Sequence, residues 1–80
     1  MKLLMFITEA NVTDSTVDAL VEQGFRVTRL ASTGGFLRKG NTTLLVGVEE
    51  EFAERAVAIA KRTAPGSLVI TLELDRYERL

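Results

Sequence analysis

The chain has 80 residues, with ten basic side chains against eleven acidic ones, a formal net charge of −1, and neither cysteine nor histidine. That length allows one small domain, of a size at which association often completes the burial of apolar surface. The charge balance argues against a dedicated nucleic-acid binder, and the missing residue types exclude a disulfide framework, a thiolate metal site and the commonest general base.

Residues Lys2 to Thr8 read as a buried first strand. The opening Met1-Lys2-Leu3-Leu4-Met5-Phe6-Ile7 is too short for a signal segment, lacks a small-residue cleavage site and runs directly into polar sequence. With no apolar run long enough to span a bilayer, no membrane insertion is expected and the chain is placed in the cytoplasm. Asn11, Thr13 or Asp14 is expected to cap a helix with Val17, Leu20 and Val21 on its apolar side, stopped by Gly24. Phe25 to about Ala31 is a second strand, with a break in parity at Leu30 that fits a bulge. Thr42 to Val48 is a third. Glu49, Glu50 and Glu51 open a second helix, where negative charge complements the positive end of the helix dipole. Its apolar face is Phe52, Ala53, Ala56, Val57, Ile59 and Ala60, with Lys61 and Arg62 in the last turn. Ala64-Pro-Gly66 ends it, Ser67 to Leu74 is a fourth strand, and a short charged tail contains Tyr77.

The order β-α-β-β-α-β predicts an α+β, ferredoxin-like domain over residues 1–80: a four-stranded antiparallel sheet with both helices on one face and the first and third strands central. Side chains alternate across a sheet. Leu3, Met5 and Ile7 are expected to share a face with Leu44, Val46 and Val48, and Leu4 and Phe6 to share the other with Leu45 and Gly47. An open sheet face should be mostly polar, yet both parities here are apolar. Single surface apolar residues are ordinary, but clustering on both central strands points to coverage by copies of the same chain.

The chemistry concentrates in one stretch, Arg26-Val-Thr-Arg-Leu-Ala-Ser-Thr-Gly-Gly-Phe-Leu-Arg-Lys-Gly-Asn-Thr-Thr43. A plain hairpin needs only a two-residue turn. Here Arg26 and Thr28 share a strand face, and Gly34 and Gly35 leave N–H groups open to phosphate or carbonyl oxygens. Phe36 offers a stacking surface for a base, and Asn41 can donate and accept against an adenine edge. Arg26, Arg29, Arg38 and Lys39 supply positive potential. Each also has a plain structural use: the glycines and Asn41 are turn residues, Phe36 can fold onto the sheet or into a neighbour, and Arg38 and Lys39 suit a solvated loop tip.

Phe25-Arg-Val-Thr28, Thr33-Gly-Gly-Phe-Leu-Arg38 and Gly40-Asn-Thr-Thr43, followed by Gly47, resemble the cyclic di-AMP receptor family of PII-like signalling proteins. The similarity runs without gaps from the first strand through the second helix, and Leu74-Asp75-Arg-Tyr77 resembles the family's C-terminal Val-Asp-Ala-Phe. The resemblance implies a homotrimer of ferredoxin-like protomers that holds one cyclic dinucleotide in each cleft between subunits, without catalysis. It implies ligand contacts from Arg26, Thr28, Gly35, Phe36, Leu37, Asn41 and Gly47, with Tyr77 keeping a stacking surface where the family has Phe. The chain departs from the family where Thr63-Ala-Pro-Gly66 replaces a long segment, where Gly24 replaces an Asn, and where Arg79 replaces a Gln.

Two functional expectations follow. One is a second-messenger receptor, with no cofactor, in which cyclic di-AMP or a related adenine nucleotide orders the Thr33 to Asn41 loop for a downstream protein partner still to be identified. The alternative is a PII-like trimeric interaction module that has lost nucleotide binding, as the shortened connection allows. An enzyme is not expected. Acylphosphatases share the strand order, but their glycine-rich arginine loop follows the first strand, where this chain has Glu9-Ala-Asn11. General acid–base groups at recognisable spacing are lacking, and Glu49 to Glu51 fan round a helix axis rather than converge on a metal. An RNA-binding variant of the fold would carry strand aromatics within a basic face, and the aromatics here are scattered.

Overall fold

Alternation in Lys2–Glu9 drives the first strand, β1: Leu4, Phe6 and Thr8 are buried while Leu3, Met5 and Ile7 are only partly covered. The computed structural model describes residues 1–30, 40–75, 78 and 80. After β1 come helix α1 (Ala10–Glu22), strand β2 (Thr28–Leu30) and strand β3 (Asn41–Val48). A 3₁₀ turn, Glu50–Phe52, then leads into helix α2 (Ala53–Thr63), and strand β4 (Leu68–Glu73) closes the order. The sheet runs β2-β3-β1-β4 with every pairing antiparallel, so the ferredoxin-like arrangement expected from the element order is the one observed.

Register corrects the expected partnership of faces. Leu4 lies opposite Val46 and Phe6 opposite Leu44, whereas Leu3 faces Gly47, Met5 faces Leu45 and Ile7 faces Thr43. Directly opposed residues project to the same side of a sheet. The core therefore joins Leu4 and Phe6 to Leu44, Val46 and Val48, under Leu20 of α1 and Ala53, Ala56, Ile59 and Ala60 of α2. Each fully buried Leu or Phe contributes about 1.5–3 kcal/mol relative to exposure. The helix-free side carries Leu3, Met5, Ile7 and Leu45, joined by Leu30 from one edge and Leu68, Ile70 and Leu72 from the other. Those last four side chains are exposed.

Two helix faces also differ from expectation. Val21 of α1 is exposed, while Thr13 and Thr16 take core positions beside Leu20. Phe52, at the start of α2, is exposed as well. The threonines enter the core because their hydroxyls are paired. Thr13 donates to the Glu9 carbonyl at 2.9 Å, so its Oγ1 accepts from Thr8 at 2.8 Å. Thr16 donates to the Val12 carbonyl, and Thr63 Oγ1 of α2 lies 2.9 Å from Thr16 Oγ1. A polar seam thereby links β1 to α1 and α1 to α2.

The ends of α1 are set by backbone rather than by the expected capping side chains. The helix begins at Ala10 after Glu9, with no side-chain cap, and the Ala10 N–H donates to the Gly40 carbonyl at 2.6 Å. At the other end Gly24 adopts φ +90°, Gly24 N–H donates to Val21 O, and Phe25 N–H donates to Leu20 O. This is a Schellman closure, and it turns Phe25 toward the core beneath Leu20. Pairing of β2 with β3 is regular through Leu30, which leaves no bulge among the described residues there.

Removing the Thr13 hydroxyl isolates Thr8, which is 1% exposed. Thr13→Val is expected to lower unfolding stability in urea by about 1–3 kcal/mol, and Thr8→Val added to it to recover part of that loss. At the surface, Lys2 Nζ bridges Glu73 at 2.9 Å and Glu50 at 3.9 Å, tying β1 to β4. The hydrogen bond from Lys2 holds the Glu73 carboxyl below the ordinary glutamate range, and the same bond raises Lys2. A depressed carboxylate stabilises above its unfolded value and loses that contribution as pH falls through its folded one. Glu73→Gln is therefore expected to flatten the acid limb of a melting-temperature profile, with the difference from wild type vanishing once Glu73 is protonated.

Candidate functional site

The closure of α1 fixes the direction of everything that follows it. With Phe25 and Val27 packed toward the core, the intervening Arg26 and then Thr28 fall on the opposite, helix-free side. Thr28 pairs with Leu45 on that face, two residues from Gly47. Asn41 begins β3 opposite Glu9, in the same parity as Leu45 and Gly47, so it belongs to the helix-free side too. Of the residues that the sequence nominates, Arg26, Thr28, Asn41 and Gly47 thus share one face of the sheet. Gly35, Phe36, Leu37 and Tyr77 lie outside the described residues.

That shared face does not place all four at one point. Asn41 and Gly47 stand six positions apart on a single strand, a separation of about 20 Å at roughly 3.3 Å per residue. Arg26 and Thr28 group with Gly47; Asn41 stands at the far end. Each end has its own hollow. At the Asn41 end, an open hollow of about 830 Å³ is lined by Glu9, Asn11, Gly40, Asn41 and Ser67, and by the Pro65-Gly66 turn. At the Gly47 end, a smaller one of about 330 Å³ lies against Gly24, Phe25, Phe52 and Arg55.

Gly47 differs from the other described glycines. Gly24, Gly40 and Gly66 adopt φ between +87° and +93°, a turn conformation that L side chains rarely take. Gly47 sits inside a central strand without positive φ, and a Cβ built there meets nothing within 4 Å among the described residues. Glycine in a strand interior costs about 0.5–1 kcal/mol relative to alanine. Neither its backbone geometry nor packing among the described residues accounts for it.

Charge near these residues is also sorted by face. Arg29 does not add to the positive potential beside Arg26 as the sequence reading supposed. It projects to the helix side, where its Nη2 pairs with Asp14 at 2.6 Å. Arg26 is exposed and has no carboxylate partner among the described residues. Among the described residues no group of three or more acidic side chains is arranged to hold a metal, and no helix is long and apolar enough to cross a membrane. The exposed Phe52–Arg55 pair, in which the guanidinium lies 5.6 Å from the ring centroid, has no counterpart in the sequence-based site. Its signal was an apolar residue on the margin of a helix face with an arginine three positions on, which hydropathy alone assigns to core and solvent.

Comparison with known proteins adds two findings. Residues 1–75 match the sequence model of a family described as cyclic-di-AMP receptor. The structure is similar to the crystal structure of a functionally unknown protein from Pediococcus pentosaceus ATCC 25745, with a TM-score of 0.86 and 30% identity, covering 99% of this chain and 96% of that one.

Proposed function

We propose, since the chain belongs to the cyclic-di-AMP receptor family, that it acts as a PII-like signalling protein binding cyclic di-AMP or a related adenine nucleotide at clefts between protomers of a homotrimer. The observation that carries this reading is the division of the four described site residues on one apolar face. Arg26, Thr28 and Gly47 cluster at one end of β3, and Asn41 stands about 20 Å away at the other. One small ligand cannot bridge that span within a protomer. A neighbour seated on the helix-free face can bring its Asn41 end toward the first protomer's Gly47 end, and both groups then meet the same ligand.

The apolar composition of that face supports the arrangement. Leu30, Leu68, Ile70 and Leu72 are exposed beside Leu3, Met5, Ile7 and Leu45, and contiguous apolar patches of such extent mark interaction surfaces. Gly47 supports it from another direction, since a side chain is missing where no described residue uses the space, which leaves room for a ligand or partner. Arg26 provides charge for a phosphodiester, with donors that reach its oxygens in pairs. The role is that of a receptor, without catalysis or resident cofactor, acting in the cytoplasm through a downstream protein partner.

The second reading, an interaction module of the same architecture without a nucleotide site, draws on the brief Thr63-Ala-Pro-Gly66 connection. Calorimetry and thermal shift with cyclic di-AMP, other cyclic dinucleotides, ATP and ADP separate the two. The receptor reading expects saturable heat and a rise in melting temperature with cyclic di-AMP, both lost in Gly47→Val while far-UV circular dichroism is unchanged. A trimer that gives no response at millimolar ligand, yet retains a protein in a pull-down, would establish the second reading instead.

A further inference from the structure

Two helices lie over the four strands, and on that side β4 is left uncovered. Val69 is opposite Phe6 and Thr71 opposite Leu4, so both project to the core side of the sheet. Their partners on β1 are fully buried, yet Val69 is 38% exposed and Thr71 is exposed as well. Along the neighbouring flank of α2, Glu54, Val57, Lys61 and Ala64 recur at helical spacing. Two hollows lie between that flank and β4, and they meet at Val57. One, of about 260 Å³, has Phe6 for a floor between Val69 and the α2 residues Ala60, Lys61 and Ala64. The other, of about 870 Å³, has Leu4 for a floor between Thr71 and the start of α2. Together they make one groove, roughly 16 Å long from Ala53 to Ala64 at 1.5 Å per residue.

The floor of this groove is apolar, and its ends carry opposite charge. Glu49, Glu50, Glu51 and Glu54 line one end. Lys2 stands there too, but Glu73 and Glu50 already engage it. Glu49, Glu51 and Glu54 form no ion pair among the described residues, and neither does Lys61 at the other end. Such a pattern admits a partner of complementary sign and turns away one of like sign. Ala60 and Ala64 leave room for a second helix axis to approach α2 closely. An amphipathic helix meets each of these conditions, with anchors one turn apart along the floor and charges at both ends. A strand added to the edge of β4 would set its side chains beside the groove rather than in it.

We infer that the α2–β4 groove is a docking surface for an amphipathic helix of a partner protein, basic where it meets Glu49, Glu51 and Glu54 and acidic where it meets Lys61. The groove is on the helix side, so a partner reaches it without displacing whatever covers the opposite face. Nucleotide binding is not assumed, and the inference survives a failure of the receptor reading. A groove one short helix long belongs with the transient interfaces, which bury less than about 1,200 Å² in total.

The test uses three labelled synthetic peptides of about four helical turns, followed by fluorescence anisotropy and by amide shifts of the protein. The first has one apolar face, lysines in one half and glutamates in the other. The second has glutamates in place of the lysines, and the third has central prolines that break the helix. The first is expected to bind with shifts at Val57, Val69 and Thr71, and the other two at least about tenfold more weakly. Val69→Asp is expected to abolish binding. Glu51→Lys combined with Glu54→Lys, both on the surface, is expected to exchange the ranking of the first two peptides, with the free protein's melting temperature near wild type. Equal affinity for the first peptide and either control, no binding of the first, or shifts confined to Leu3, Met5 and Ile7 overturns the inference. So does loss of an oligomer in sedimentation of Val69→Asp, since the groove would then be a contact between copies of this chain.

Discussion

An antiparallel sheet with helices on one side has two ways to satisfy its other side: polar residues that keep it wet, or a second body that keeps it dry. The uncovered side of this sheet has the apolar composition that suits the second. Leu3, Met5 and Ile7 of β1 and Leu45 of β3 sit on the uncovered side, and the edges add Leu30, Leu68, Ile70 and Leu72. The core on the helix side is small, leaning on alanines in α2 and on paired threonine hydroxyls where α1 meets β1. A chain of this size gains much from burying its remaining apolar surface, and the proposed site uses the same surface. On the proposed function, ligand binding and assembly are aspects of one face.

Element types were legible in the sequence because each follows from local physics. Alternation marks β1 and β3, the 3.6-residue spacing from Ala53 to Ala60 marks α2, and Gly24 and Gly66 mark points where the backbone needs positive φ. The partnership of faces was not legible. It depends on whether Leu4 meets Leu45 or Val46, and an offset of one residue exchanges every side chain between the two sides. The start of α1 was missed for a related reason: its first N–H is met by the carbonyl of Gly40, thirty positions along the chain. No local pattern encodes that contact. Thr13 and Thr16 read as polar until their hydroxyl partners are known, and Arg29 reads as a source of positive potential until Asp14 is found beside it.

The site was legible in part. The stretch containing Arg26, Thr28 and Asn41 stood out for its composition, Gly47 entered through the family resemblance, and alternation from Phe25 already put Arg26 and Thr28 on one side. That Asn41 and Gly47 stand at opposite ends of one strand follows from β3 running unbroken through both. The exposure of Phe52 and its pairing with Arg55 could not be read from sequence, because an apolar residue at a helix start is assigned to the core by pattern, and only the fold shows its ring uncovered. Gly47 shows the limit from the other side. The resemblance named it, while its setting required knowing that no described residue occupies the space above it.

The fourth strand carries a consequence of its own. β4 hydrogen-bonds along one side only, to β1, and all six of its residues are exposed. Held among the described residues by a single ladder and the Lys2–Glu73 bridge, it belongs among the segments that detach at low free energy, so its amides are among the earlier ones to exchange in a lone protomer. Anything that covers Leu68, Ile70 and Leu72 slows that exchange in proportion to how tightly it is held. The strand then serves as a built-in gauge of occupancy for the neighbouring surface, readable without a label and without knowing in advance what sits there.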